Sequence, residues 1–324
     1  SDLNARALIV AQGSSTPAIA VAEKLKVRVL DLVVETGAPA GEFRLQPRDG
    51  AASTATANGG FAQQGDISMV LHTSGTTSRP KIVPLSQANL AASARHIAST
   101  LKFTSKDRSL NIMPLFHIHG LIAGVLAPLS AGSQVFCTPG FNALKFFGWM
   151  DECAPTWYTA VPTMHQAIVS RASKNAEIIA RHPLRFLRSS SSSMPPQVIR
   201  ELEDIFNAPL IESYGMTEAT HQMASNPLPP AVRKPGTVGR AAGPEIAIMA
   251  TDGTLRLLGS STGTPALVQN DVGSWVPHRN PSQSANPASN TRPGFIAALG
   301  STCPAPKSNG PPNVKPGVPV LVVW

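Results

Sequence analysis

The sequence predicts an α/β fold. Short apolar runs with strand-like alternation take turns with stretches of helical periodicity, and the segments between them are rich in Gly, Pro, Ser and Asn. That alternation is what a sheet flanked by helices requires. A hydrophobic content of 42% in 324 residues supplies a sizeable core, and no internal repeat of fixed period points to a solenoid.

The elements follow in order. Ala7 to Val10 is a short apolar run, Pro17 to Leu25 reads as a helix with Pro near its start, and Val27 to Val34 alternates like a strand. Residues 46 to 65 are small, polar and Gly-rich and read as a surface connection. Ser68 to His72 and Ile82 to Leu85 are strand-like. Ser86 can cap a helix running to about Leu101, with Leu90, Ala94, Ile97 and Leu101 on one face. Further strands are expected at Leu110 to Pro114, Gln134 to Cys137, Thr156 to Ala160, Leu184 to Arg188 and Pro209 to Ser213. Helices are expected at Leu121 to Leu129, Ala143 to Glu152, Thr163 to Ser173, Ala176 to Ala180 and Pro196 to Phe206. Residues 259 to 324 contain no Glu, few charges and much Pro, Ser, Gly and Asn, so the tail is expected to be irregular.

Composition narrows the function classes. The net charge of +8 suits nucleic acid, a membrane surface or an anionic small molecule. Lys and Arg are scattered, zinc-finger spacing is absent, and no basic stripe has interleaved aromatics, which argues against nucleic acid. Cys137, Cys153 and Cys303 form no CxxC and no even framework, as expected of thiols in a reducing compartment. No signal peptide is visible, and the apolar stretch Leu121 to Leu129 falls short of the roughly 20 residues a membrane span needs. The expectation is a cytoplasmic protein with no membrane partner; the final Val-Val-Trp is no Ser-Lys-Leu signal.

The loop TSGTTSRPK, Thr73 to Lys81, carries the chemistry. Its Ser/Thr content suits a linker, but it lies between two apolar strand candidates that hold its ends, contains one Gly, and finishes in a stiff Pro-Lys. Successive N–H groups, hydroxyls and a Lys also suit phosphate. It is not a Walker A loop, because the Lys follows Pro and a strand comes next. From the residues alone both readings stand.

The wider string HTSGTTSRPKIVPLS resembles the phosphate loop of the adenylate-forming superfamily, which includes acyl-CoA synthetases, luciferases and nonribosomal adenylation domains. PLFHIHG (Pro114 to Gly120), RSSSSSMPP (Arg188 to Pro196), ESYGMTEATH (Glu212 to His221) and KPGTVGR (Lys234 to Arg240) are similar to further superfamily motifs and occur in the same order. Together with TWYTAVPTMHQ, and with Ser78-Arg79 before Pro-Lys, they resemble the oxalate–CoA ligase branch. The resemblance implies the large N-terminal domain of an adenylate-forming enzyme, with layered sheets and packed helices. It places the end of a first α/β subdomain at 1–45, the AMP-binding core at 66–258 and a non-family tail at 259–324.

The implied reaction joins a carboxylate to the α-phosphate of ATP and then transfers the acyl group to coenzyme A. Thr73, Ser74, Gly75, Thr76, Thr77 and Lys81 would cradle phosphates, and Glu218 would hold Mg2+. Thr217 would bond the α-phosphate. Ser189, Ser190 and Ser191 would border the adenine or ribose from one side, and Tyr214, Gly215 and Met216 from the other. His117 would stand nearest the reacting carboxylate. A small dicarboxylate needs donors where a fatty acid needs apolar walls, and His119, Ser191 and His221 are the candidates.

Past the KPGTVGR segment the chain departs from the superfamily pattern. The Thr-Gly-Asp motif, the hinge and the small C-terminal domain with its Lys find no match, so an incomplete chain is expected. That leaves two alternatives to a working ligase: a catalytically incomplete Mg-ATP-binding fragment, and a basic anion-binding or nucleic-acid-binding protein. Sheet edges left uncovered would favour self-association.

Overall fold

The computed structural model describes residues 3–39, 41–50, 60–73 and 81–250, together with strands at 255–257, 267–269, 275–277, 293–299 and 321–323. The chain divides into two compact units, Ser1–Phe61 with Pro304–Trp324, and Ala62–Cys303.

In the first unit, β1 (Ala7–Ala11) leads through α1 (Pro17–Lys24) to a parallel β2 (Arg28–Val33), which pairs antiparallel with β3 (Arg44–Pro47). Thr16 caps α1, its hydroxyl accepting from Ala18 N–H, and Pro17 takes the first turn, where its missing N–H costs nothing. Leu8, Val10, Ala22 and Val29 form a small core. β3 begins before residue 46 and takes in two residues of the expected surface connection, because Leu45 and Arg44 continue the ladder begun by Leu32 and Val33. Residues 321–323 pair in parallel with β1.

The second unit opens with a hairpin, β4 (Ile67–Thr73) against β5 (Lys81–Ser86), in which Thr73 lies opposite Lys81. Ser86 then caps α2 (Gln87–Thr100) in a reciprocal box with Asn89. A mixed sheet follows, ordered β12-β11-β10-β9-β8-β6-β7. Its parallel part comprises β6 (Arg108–Asn111), β7 (Gln134–Cys137), β8 (Trp157–Ala160), β9 (Phe186–Ser189) and β10 (Leu210–Met216). β11 (His221–Ser225) and β12 (Arg240–Ala241) add antiparallel at one edge.

Between the strands lie a π-helix (His119–Leu126) running into α3 (Ala127–Ser130), then α4 (Phe146–Cys153), α5 (Pro162–Ala172), α6 (Ala176–Arg181) and α7 (Pro196–Phe206). Each face of the sheet has its own core. Leu110, Tyr158, Leu187 and Leu210 pack with Phe147 and Met150 of α4, Ile168 of α5 and Ile199, Leu202 and Phe206 of α7. Trp157, Phe186 and Ile211 pack on the opposite side with Leu90, Ala94 and Ile97 of α2 and Ile122 of the π-helix. Each fully buried Leu, Ile or Phe there contributes about 1.5–3 kcal/mol.

Three differences from expectation have local causes. The helix expected at Leu121 to Leu129 begins at His119 as a π-helix and changes to α at Ala127. Gly120 and Gly124 allow its close approach to β6, since a side chain at Gly124 would strike Asn111 and one at Gly120 would strike the Pro114 carbonyl. β6 ends at Asn111, before Pro114, and Pro cannot donate to a ladder. Beyond β12 come β13 (Glu245–Ala250), β14 (Leu255–Leu257), β15 (Leu267–Gln269), β16 (Trp275–Pro277), β17 (Pro293–Leu299) and β18 (Leu321–Val323). Four of these lie in the tail expected to be irregular. They are short apolar runs set in Pro/Ser/Gly-rich sequence, long enough to pair but too short to register as periodic.

Candidate active site

The parallel strands β6, β9 and β10 all deliver their C-terminal ends to one side of the sheet, the side where open α/β sheets hold ligands. A cavity of about 380 Å3 lies there. Thr73 and Lys81 reach it from the ends of the β4–β5 hairpin, and His117 and Ile118 from the segment after β6. Ser191 comes from the loop after β9. Gly215, Met216, Thr217 and Glu218 come from the end of β10 and the single 3-10 turn that follows it, and His221 opens β11.

Backbone conformation makes this convergence. Ser191 has φ 75 and His221 φ 92, both in the left-handed region that non-glycine residues seldom occupy. Such strain persists only where surrounding bonds hold it. Around His221 those bonds come from α2: Ser93 Oγ donates to the Thr220 carbonyl at 2.5 Å, and Gln222 Nε2 donates to Thr100 Oγ1 at 3.3 Å. The β10–β11 ladder shifts register between Tyr214 and Gly215, and a Cβ on Gly215 would collide with the His221 carbonyl.

Several expected residues stand elsewhere. His119 is fully buried and does not line the cavity; its Nδ1 lies 3.1 Å from Ser191 Oγ and its Nε2 2.6 Å from Thr159 Oγ1. Ser189 and Ser190 are buried too: Ser190 Oγ donates to the Ser213 carbonyl at 3.1 Å, and Ser189 Oγ meets Met194 Sδ at 3.9 Å. Tyr214 is partly buried just before the cavity-lining Gly215, and its hydroxyl pKa is raised by burial and then by Glu218. Ser74, Gly75, Thr76 and Thr77 lie outside the described residues.

Arg188 has no role assigned from the sequence beyond opening the RSSSSSMPP motif. This guanidinium is fully buried at the end of β9. NH1 donates to His119 Nε2 at 3.1 Å and Thr159 Oγ1 at 3.2 Å; NH2 donates to His221 Nε2 at 3.1 Å and Gln222 Oε1 at 3.3 Å. Its Nε has no partner among the described residues, and neither does any carboxylate pair with it. Burial lowers its pKa to about 9, which leaves it charged at neutral pH. The same burial, with the Arg188 charge beside them, holds His119 and His221 well below the ordinary imidazole value, and burial lowers His117 as well. The two buried rings stack at 4.9 Å. A charged residue following the apolar pair Phe186 and Leu187 in a short strand was the available signal.

Glu212 was also passed over except as part of a motif. It accepts from Gly236 N–H at 2.8 Å, tying β10 to the KPGTVGR segment, and burial raises its pKa to about 7. Among the described residues no three His, Cys, Asp or Glu side chains gather as a metal site. The carboxylate of Glu218 at the cavity suits magnesium, which uses one or two carboxylates with phosphates and water.

Comparison with known proteins agrees with this geometry. A probable CoA ligase of Humulus lupulus is 50% identical over 200 residues, covering 60% of this chain and 38% of its own length. An oxalate–CoA ligase of Arabidopsis thaliana is 41% identical over 261 residues, covering 79% and 50%. Other matching relatives are named for different acids, among them sulfoacetate and malonate. The ATP-bound structure of MatB from Rhodopseudomonas palustris superposes with a TM-score of 0.63 at 27% identity, covering 79% of this chain and 49% of that one. The chain thus spans half or less of the length of these relatives. The AMP-binding enzyme family matches residues 1–263, so that a cavity joining the ends of the Ser/Thr-rich loop to the YGMTE turn sits within a chain that belongs to the AMP-binding enzymes.

Proposed function

We propose that this chain forms the nucleotide-binding and acid-binding part of an AMP-forming acid–CoA ligase acting on a small dicarboxylate such as oxalate. The observation that carries the reading is a single cavity shared by Lys81, Thr217 and Glu218 with His117, Ser191 and His221. The first three suit a triphosphate, and the second three offer polar groups to an acid where a long acyl chain would need an apolar wall.

In this reading a carboxylate oxygen attacks the α-phosphorus of ATP, the bond from that phosphorus to the bridging oxygen breaks, and pyrophosphate leaves with the electron pair. Lys81 places a positive charge beside the phosphates, and Thr217 offers a hydroxyl to the α-phosphate. Magnesium, held by Glu218, would supply charge neutralisation. His117, exposed at the cavity and with its imidazole pKa lowered by desolvation, can donate to the acid without forming an ion pair that would blunt its nucleophilicity. Coenzyme A is the proposed acceptor of the acyl group in the complete enzyme. The relatives named for oxalate support the acid class, while those named for sulfoacetate and malonate widen it to small acids with a second anionic group.

Calorimetric titration of Mg-ATP tests the nucleotide half. The parent is expected to bind, and Lys81→Ala and Glu218→Ala to weaken binding about tenfold or more each. A well-folded parent without affinity for Mg-ATP would overturn the reading for this chain.

A further inference from the structure

Arg188 presents a physical problem. An unpaired buried guanidinium is costly, and proteins normally neutralise one with a carboxylate. Here its partners are two imidazoles, two uncharged oxygens and nothing at Nε. The charge therefore persists at the back of the cavity without a counter-ion among the described residues.

Its bonds also set the tautomers. Guanidinium N–H groups only donate, and those of Arg188 meet Nε2 of both His119 and His221; these bonds select the tautomer with the proton on Nδ1, in which the one Nε2 lone pair of His119 is shared between Arg188 NH1 and the Thr159 hydroxyl 2.6 Å away. For His119 that proton goes to Ser191 Oγ, 3.1 Å away. Ser191 then accepts from behind and is free to donate its own hydroxyl proton into the cavity it lines. For His221, which also lines the cavity, Nδ1–H has no acceptor among the described residues. Two neutral donors thus face the cavity, each backed by the same cation.

We propose that Arg188 is a positioning residue that selects a dianionic acid. It orients Ser191 and His221 as donors toward the second carboxylate and supplies the positive charge which that carboxylate balances. Arg188 does not line the cavity, so it acts through the two imidazoles rather than by contact. The proposal rests on the dicarboxylate reading above and assigns its selectivity to a residue outside the cavity wall. A monocarboxylate would leave the cation uncompensated, whereas a dicarboxylate brings a second charge to the donors that Arg188 holds.

The test titrates oxalate and acetate into the full chain, loaded with magnesium and α,β-methylene-ATP so that no turnover occurs. It compares the parent with Arg188→Met and Arg188→Lys. The parent is expected to prefer oxalate; Arg188→Met to lose that preference about tenfold or more, and Arg188→Lys to retain part of it. A purely structural role would weaken both acids alike and leave their ratio unchanged, and that result would overturn the proposal. An oxalate preference in Arg188→Met equal to the parent's would overturn it while leaving the dicarboxylate reading intact. A parent without oxalate preference would overturn both. If Arg188→Met fails to fold, nitrogen-15 NMR of the parent's imidazoles decides: Nδ1–H tautomers at His119 and His221 are expected at pH 7, and an Nε2–H tautomer at either would overturn the assignment.

Discussion

Gly215 shows how much one atom can decide. It lies at the register shift between β10 and β11, where any side chain would enter the space of the His221 carbonyl. Gly215→Ala must push β11 away or distort the turn through Thr217 and Glu218. The expected cost is about 3 kcal/mol or more, with loss of Mg-ATP binding, measured by urea denaturation and titration. Retained stability and affinity would mean that the β11 backbone yields easily. That is hard to reconcile with the bonds from Ser93 and Gln222 that hold His221 at φ 92. Ser191, also left-handed, is exposed to the same logic on the other side of the cavity. Both residues combine a polar side chain at the cavity with a backbone conformation that the unfolded chain rarely samples.

At the scale of elements, β10 does two jobs. Its last residues line the cavity, while Glu212, within the strand, holds the KPGTVGR segment through Gly236. Burial raises this carboxyl to about 7, well above its ordinary 4.5. The folded state therefore keeps a proton that the unfolded chain releases. Stability from this group is full below about pH 4.5 and falls as pH rises toward 7. Glu212→Gln cannot titrate. Relative to the parent it is expected to gain about 2 kcal/mol more unfolding free energy on going from pH 5.5 to 8, because the opposing loss from Glu212 is gone. Parallel profiles would place the Glu212 carboxyl in its ionised form throughout. The π-helix shows a different kind of constraint. It starts at His119 and depends on Gly120 and Gly124 to approach β6, so the segment that positions the site histidines is also the one where helix geometry departs from α.

For the molecule as a whole, buried imidazoles outweigh Glu212 in acid. His119, His165 and His221 are fully buried, and burial lowers all three pKa values, His165 to about 4. Each is neutral when folded and ordinary when unfolded. Their contribution is full above about pH 6.5 and is lost as pH falls, because the unfolded chain takes up protons the folded state refuses. Between about pH 6 and 5, three refused protons oppose the one that Glu212 retains. Denaturant unfolding across that range is expected to show a steep fall, and a flat or rising stability would mean that the rings become charged inside the fold.

Local patterns in the sequence determined the α/β class, the capped helix after Ser86 and most of the parallel strands, while the resemblance of the ordered motifs singled out Thr73, Lys81, His117, Ser191, Thr217, Glu218 and His221, which line one cavity. They were sufficient because periodicity, capping and motif spacing are properties of neighbouring residues. β11 and the π-helix escaped that reading: β11 is a buried strand without alternation, and a π-turn leaves no distinct period in so short a run. The burial of His119 behind Ser191, the left-handed turn at His221 and the burial of Arg188 without a carboxylate partner among the described residues were decided only by the tertiary structure. Each depends on residues far apart in the chain, Arg188 being 69 positions from His119 and 33 from His221. Whether a polar side chain meets a ligand or another side chain is settled by what the fold brings to its other end.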